Sequence, residues 1–119
     1  MYEIKVKSSF SAAHNLKNYK GKCERLHGHN WNVEAMFAYR SLGDDGIAVD
    51  FREAKRLLKN ATEELDHSYL NEVKPLKKIN PTSENIAKFI YDRIKKRNKN
   101  LKSVSVWENE NSSAAYTED

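Results

Sequence analysis

The chain is poor in the residues that interrupt or cross-link a fold: one cysteine, two prolines and four glycines in 119 residues. A lone cysteine cannot close an internal disulfide, which fits a reducing, cytoplasmic setting. No window approaches eighteen apolar residues, so no membrane span is expected. The opening Met1-Tyr2-Glu3-Ile4-Lys5-Val6 lacks the apolar run of a signal peptide and alternates like a strand. Zinc-finger spacing, a recognition helix and an arginine-rich arm are all missing, so no nucleic acid partner is expected. No internal repeat or linker divides the chain, and residues 1–119 read as one domain. The +4 net charge comes from lysines scattered through the sequence and reads as a solvated surface.

What is present is a soluble globular composition, 39% apolar and 32% charged, organised around Cys23-Glu24-Arg25-Leu26-His27-Gly28-His29-Asn30. That stretch holds the one cysteine and two of the four histidines. Histidines at i and i+2 share a face only on a strand, where side chains alternate. Two imidazoles on one face make half of a tetrahedral zinc site; a third ligand and an open fourth position would make it catalytic.

Alternation predicts where a third ligand lies. Residues 2–14 read as a strand with Tyr2, Ile4, Val6, Phe10 and Ala12 on one face, and His14 extends that face. Residues 27–39 read as a second strand, with His27, His29, Trp31, Val33, Ala35, Phe37 and Tyr39 on one face. Each strand thus carries histidine at one end of an apolar face. The intervening residues 15–26 read as a loop, so antiparallel pairing is the expectation and would bring three imidazoles together.

Gly43-Asp44-Asp45-Gly46 reads as a turn, and Asp50 with Glu53 resembles a capping box. Phe51, Ala54, Leu57, Leu58, Ala61 and Leu65 predict a helix over 51–65, ending in Asp66-His67. Pro81 disfavours helix at Asn80, and Thr82 can cap a second helix carrying Ile86, Ala87, Ile90 and Ile94. Residues 102–108 predict a third strand with Val104, Val106 and Glu108 on one face, and a short fourth strand is expected around 114–116. The predicted architecture is α+β: a ββααββ antiparallel sheet with two helices packed on one face.

Each reactive group has a plain alternative. His14 reads equally as a core histidine, Cys23 as a small hydrophobe, Asp66-His67 as a helix end and Glu108 as a solvent-facing strand terminus. Lys22 and Arg25 beside Cys23 would favour its thiolate. One shared site accounts for all of them together.

Phe10-Ser11-Ala12-Ala13-His14, Cys23 separated by three residues from His27-Gly28-His29-Asn30, Val49-Asp50-Phe51, Leu65-Asp66-His67, Leu70-Asn71, Pro81-Thr82-Ser83-Glu84-Asn85 and Val104 to Glu108 together resemble the family of 6-pyruvoyltetrahydropterin and 6-carboxytetrahydropterin synthases. The short gap from Cys23 to His27 resembles the carboxytetrahydropterin branch, which feeds deazaguanine synthesis for queuosine. The resemblance implies a tunnelling fold (T-fold), in which subunits close a barrel as trimers and stack into hexamers. It implies Zn2+ held by His14, His27 and His29, acidifying side-chain hydroxyls of a pterin triphosphate substrate. By the same resemblance Cys23 is the thiolate base, Asp66 and His67 relay protons, and Glu108 anchors the pterin. Thr82 and Ser83 match residues near the pterin ring, and Lys17, Lys22 and Arg25 are candidate triphosphate contacts. Where the family often has threonine after the anchoring glutamate, this chain has Asn109, followed by Glu110.

Overall fold

In the computed structural model, which describes residues 1–20 and 24–119, two thirteen-residue strands form the spine. Strand β1 (Tyr2–His14) pairs antiparallel with β2 (His27–Tyr39) along its whole length, from Tyr2 opposite Tyr39 to His14 opposite His27. The alternation works as the sequence predicts: Val6, Phe10, Ala12 and His14 of β1 are buried together with Trp31, Val33, Ala35 and Phe37 of β2. Lysines, serines and asparagines take the other face.

Helix α1 (Phe51–Thr62) buries Ala54, Leu57, Leu58 and Ala61. It is shorter than the periodicity suggests. Leu65 is fully buried but lies in the turn beyond the helix, so its apolar spacing reports the core and not helix length. Asp50 caps α1 by accepting the Arg52 amide, whereas Glu53 pairs with Arg56 instead of completing a capping box. Two residues, β3 (Ser68–Tyr69), then run parallel to β1 at Ala12 and Ala13. The sequence shows no sign of this bridge, because two residues carry no periodicity. Two short 3-10 turns, Leu70–Glu72 and Lys74–Leu76, lead to α2 (Ser83–Lys95), capped by Thr82 as expected.

Strands β4 (Leu101–Asn109) and β5 (Ser112–Thr117) complete a sheet of order β3-β1-β2-β4-β5. A bulge sets Leu101 opposite Phe37 but Ser103 opposite Met36, leaving Lys102 as the surplus residue. Leu101 therefore faces the core beside Val104 despite its parity. A second irregularity leaves Glu108 as the extra residue between Trp107 and Asn109 against β5. Both helices cover one face of the sheet, and their apolar sides join Val6, Phe37, Val104 and Val106 in one core. No helix among the described residues is long and apolar enough to cross a membrane.

Candidate metal centre

The helix-covered face changes character at one end. Phe10 and Trp31 stack with ring centroids 6.0 Å apart, and Trp31 Nε1 donates to the Ala12 carbonyl at 3.2 Å. Beyond this indole come the histidines. Trp31 meets His14 and His29 nearly edge-on, at 4.9 and 5.2 Å between centroids. The three imidazoles lie 4.7 to 5.2 Å from one another by the same measure. The small Ala12 stands directly opposite His29, which leaves room for the rings. Strand pairing thus gathers the three rings that alternation placed on one face.

Glu108 joins them. Its Oε1 is 3.0 Å from His29 Nε2 and 3.3 Å from His14 Nε2. One ligand atom from each of His14, His27, His29 and Glu108 falls within 4.8 Å of all the others. Zinc nitrogens at about 2.0–2.1 Å from the ion stand roughly 3.3 Å apart in a tetrahedron, so the two glutamate contacts match that edge. The sequence expectation that Glu108 extends the apolar face is met, and the structure adds that its carboxylate reaches the imidazoles.

Hydrogen bonds at the far side of two rings decide what faces inward. His14 Nδ1 contacts the Pro81 carbonyl at 2.8 Å, and His27 Nδ1 contacts the Arg25 carbonyl at 2.8 Å. A carbonyl oxygen can only accept, so both Nδ1 atoms carry the proton and both Nε2 atoms present a lone pair when the rings are neutral. His14 Nε2 and His29 Nε2 are buried and have no hydrogen-bond partner. Imidazole lone pairs and a carboxylate this close repel unless a cation lies among them. A proton could serve at one ring. Burial pulls the His29 pKa below the usual imidazole range, with His14 and His27 pushing the same way against Glu108. A neutral His29 can still carry its one proton on Nε2, but His14, with its proton on Nδ1, presents a lone pair 3.3 Å from Glu108 Oε1. A divalent ion suits the whole set: three nitrogens, one carboxylate oxygen, and Nδ1 atoms already tied to carbonyls as in other histidine-bound metal sites. The donor set therefore fits zinc.

The other sequence candidates divide by position. Asp66 Oδ1 accepts the Ser11 amide at 2.9 Å and the His67 amide donates to the Ser11 carbonyl, so this pair is fastened along the edge of β1. His67 takes a left-handed backbone, φ 56°, and its side chain is 83% exposed. It lines a shallow cavity with Ser11, Ala13, Gly28 and Asn30, which alternate away from the imidazole face, and with Ala12 and His29, which belong to it. Asp66 and His67 are thus brought to each other, 3.6 Å apart, but not into the histidine cluster of their own chain. Thr82 spends its hydroxyl on the Asn85 amide as the α2 cap, and Ser83 begins that helix next to the segment that holds His14. Lys17 and Arg25 are exposed beside the loop. Cys23 and Lys22 lie outside the described residues. Sequence reasoning missed Pro81 as the partner of His14, because Asn80-Pro81-Thr82 announces a helix start and nothing more.

A cluster of imidazoles at the end of a helix-covered sheet, in an α+β chain of this topology, is a T-fold arrangement. The solved 6-pyruvoyl tetrahydropterin synthase of Caenorhabditis elegans superposes with a TM-score of 0.88 at 25% identity, over 99% of this chain and 96% of that one. The family profile described as 6-pyruvoyl tetrahydropterin synthase matches residues 3–119, and the chain belongs to that family. A 6-carboxy-5,6,7,8-tetrahydropterin synthase of Synechocystis sp. is 38% identical over 98% of this chain and 93% of its own. A dihydroneopterin monophosphate aldolase of Pyrococcus furiosus is 36% identical over 88% of each.

Proposed function

We propose that this chain is a zinc-dependent 6-carboxytetrahydropterin synthase. It converts 7,8-dihydroneopterin triphosphate to 6-carboxy-5,6,7,8-tetrahydropterin, releasing acetaldehyde and triphosphate, and so supplies queuosine (7-deazaguanine) synthesis. The observation that carries this reading is the convergence of His14, His27 and His29, with orphaned, buried Nε2 atoms on His14 and His29, in a chain of this family. The named activity of the Synechocystis relative supports the choice within the family.

His14, His27 and His29 would hold the ion, which when bound acidifies hydroxyls on the substrate side chain. Trp31 closes the core side of the site, so substrate enters from the half-exposed flank at His27 and His29. Glu108 turns from the imidazoles to accept the two adjacent N–H donors of the pterin's aminopyrimidine edge. Cys23 removes the side-chain proton as thiolate, with the cations of its loop favouring that form. Asp66 orients His67, which moves protons near neutral pH. Thr82 and Ser83 flank the ring.

Asp66 and His67 serve the site of a neighbouring subunit in this reading. Their place on the β1 edge, outside the cluster formed by their own chain's imidazoles and Glu108, supports it. So do the unpaired outer edges of β5 and of most of β1 among the described residues, which a barrel built from several copies would cover. The expected assembly is a hexamer of two trimers.

A second reading follows from the Pyrococcus relative: retro-aldol cleavage of a dihydroneopterin phosphate at the same ion. One assay separates the alternatives. Purified, zinc-loaded protein given dihydroneopterin triphosphate should release acetaldehyde in step with a 6-carboxypterin product. A 6-pyruvoyl product without aldehyde would instead assign the pyruvoyl activity, and a hydroxylated two-carbon aldehyde the aldolase. No turnover of either the triphosphate or the monophosphate would leave a pterin- or zinc-binding protein. Cys23→Ala should abolish turnover while zinc stays bound; full activity in that variant would remove the thiolate from the mechanism.

A further inference from the structure

Just after His14 the chain leaves the sheet, and two asparagines grip it in the same manner. Asn71 Oδ1 accepts the Asn15 amide at 3.0 Å while its Nδ2 donates to the Asn15 carbonyl at 2.8 Å. Asn80 does likewise at Lys17: its Oδ1 accepts the amide at 2.7 Å and its Nδ2 donates to the carbonyl at 2.9 Å. Each carboxamide gives one residue both hydrogen bonds that a neighbouring strand would give. Leu16, between them, bonds instead to Glu24, donating to Oε1 at 3.2 Å and accepting the Glu24 amide at 2.9 Å. The segment after His14 is therefore fixed from both sides.

Asn80 differs from Asn71 in what it carries next. The following residue is Pro81, whose buried carbonyl accepts from His14 Nδ1. The Asn80 carbonyl is itself held by Asn85 Nδ2 at 2.8 Å and by the Thr82 amide at 2.9 Å, and proline fixes the backbone angle between these anchors. A closed circuit results: His14, three residues of chain to Lys17, across to the Asn80 side chain, along one peptide to the Pro81 carbonyl, and back to the His14 ring.

We propose that Asn80 is a positioning residue for the metal centre. Its two-point grip on Lys17 sets the Pro81 carbonyl against His14, which holds the imidazole as the Nδ1–H tautomer with Nε2 aimed at the ion. The inference rests on the reading of His14 as a metal ligand. Asn71, only 6% exposed, steadies the same segment but holds no partner of the ring. A purely structural role for Asn80 would predict a different result: lower thermal stability with the ring and the ion undisturbed.

The test compares the full chain with Asn80→Ala, Asn80→Asp and Asp50→Ala. Asp50→Ala removes the cap of α1 and touches no part of the circuit. Zinc affinity is read by competition with a chromophoric chelator, and the His14 tautomer by 15N imidazole spectra of the metal-free protein. Asn80→Ala should weaken zinc binding about 10- to 100-fold, the usual effect of losing a partner behind a metal ligand, and should mix the two His14 tautomers. Asn80→Asp, which sets an oxygen against the Lys17 carbonyl, should shift both readouts in the same direction. Asp50→Ala should lower Tm and leave both unchanged. A folded Asn80 variant with wild-type zinc affinity and an unmixed Nδ1–H tautomer overturns the proposal, and Asn80→Asp decides if Asn80→Ala does not fold. Wild-type protein that binds no zinc overturns the metal centre itself, an outcome distinct from equal binding by wild type and variant.

Discussion

The covered face of the sheet holds two regions built by one pattern and serving opposite ends. Toward the middle, Val6, Phe37, Val104 and Val106 pack under the helices with almost no exposure. At the end, His14, His27, His29 and Glu108 occupy equivalent alternate positions, yet bring buried lone pairs and a carboxylate together. The first region lowers the free energy of folding by removing apolar surface from water. The second opposes folding, because acceptors crowd one another around two buried imidazole nitrogens, and a bound cation would relieve that cost. A single alternation can therefore supply both a scaffold and a binding site, and Trp31 marks the boundary between them.

Substitutions should separate the two regions. The largest effect on function is expected from His27→Ala: zinc content by elemental analysis should fall below one per chain and turnover should vanish, while the metal-free protein melts within a few degrees of wild type. Full zinc occupancy in that variant would contradict the ligand set. Phe37→Ala should do the reverse. It empties a fully buried site, which costs about 3–5 kcal/mol in urea unfolding, yet the surviving folded fraction should still bind zinc. Glu108→Gln keeps size but removes charge. Losing charge-assisted bonds of about 1.5–3 kcal/mol should raise KM for the pterin roughly tenfold or more, and an unchanged KM would argue against the anchor.

The smallest effect is a pH dependence in the apolar region. Burial, with the Glu118 carboxylate adding to it, pushes the Tyr91 phenol up to about 12. The sign follows from proton counting. Between pH 10 and 12 the unfolded chain loses this proton while the folded chain keeps it, so stability is complete below pH 10 and declines as pH rises toward 12. The decline should reach about 1.4 kcal/mol at pH 11, and Tyr91→Phe should remove that part of it in unfolding measured at pH 9, 10 and 11.

Much of this was legible because strands encode their faces in parity. His14, His27 and His29 could be assigned to one face from position alone, and the β1–β2 register then brought them together. Helix caps at Asp50 and Thr82 were equally readable, since their chemistry is local. What escaped was non-local or broke the period. The bulge at Lys102 turns Leu101 inward against its parity. The β3 bridge depends on a left-handed His67 and on the pairing of Ser68 and Tyr69 with the β1 edge at Ala12 and Ala13, which no residue type announces. The Pro81 carbonyl belongs to the backbone, so its bond to a ring 67 positions away leaves no mark in the sequence.

Trp31 has an optical consequence. The chain contains two tryptophans, and this one is fully enclosed with its edge against two of the imidazoles. A dication arriving within a few ångströms of an indole, in surroundings that screen charge poorly, shifts its excited state. With Trp107 replaced by phenylalanine, emission would come from Trp31 alone, and the loading and loss of the ion could be followed in real time without an added dye.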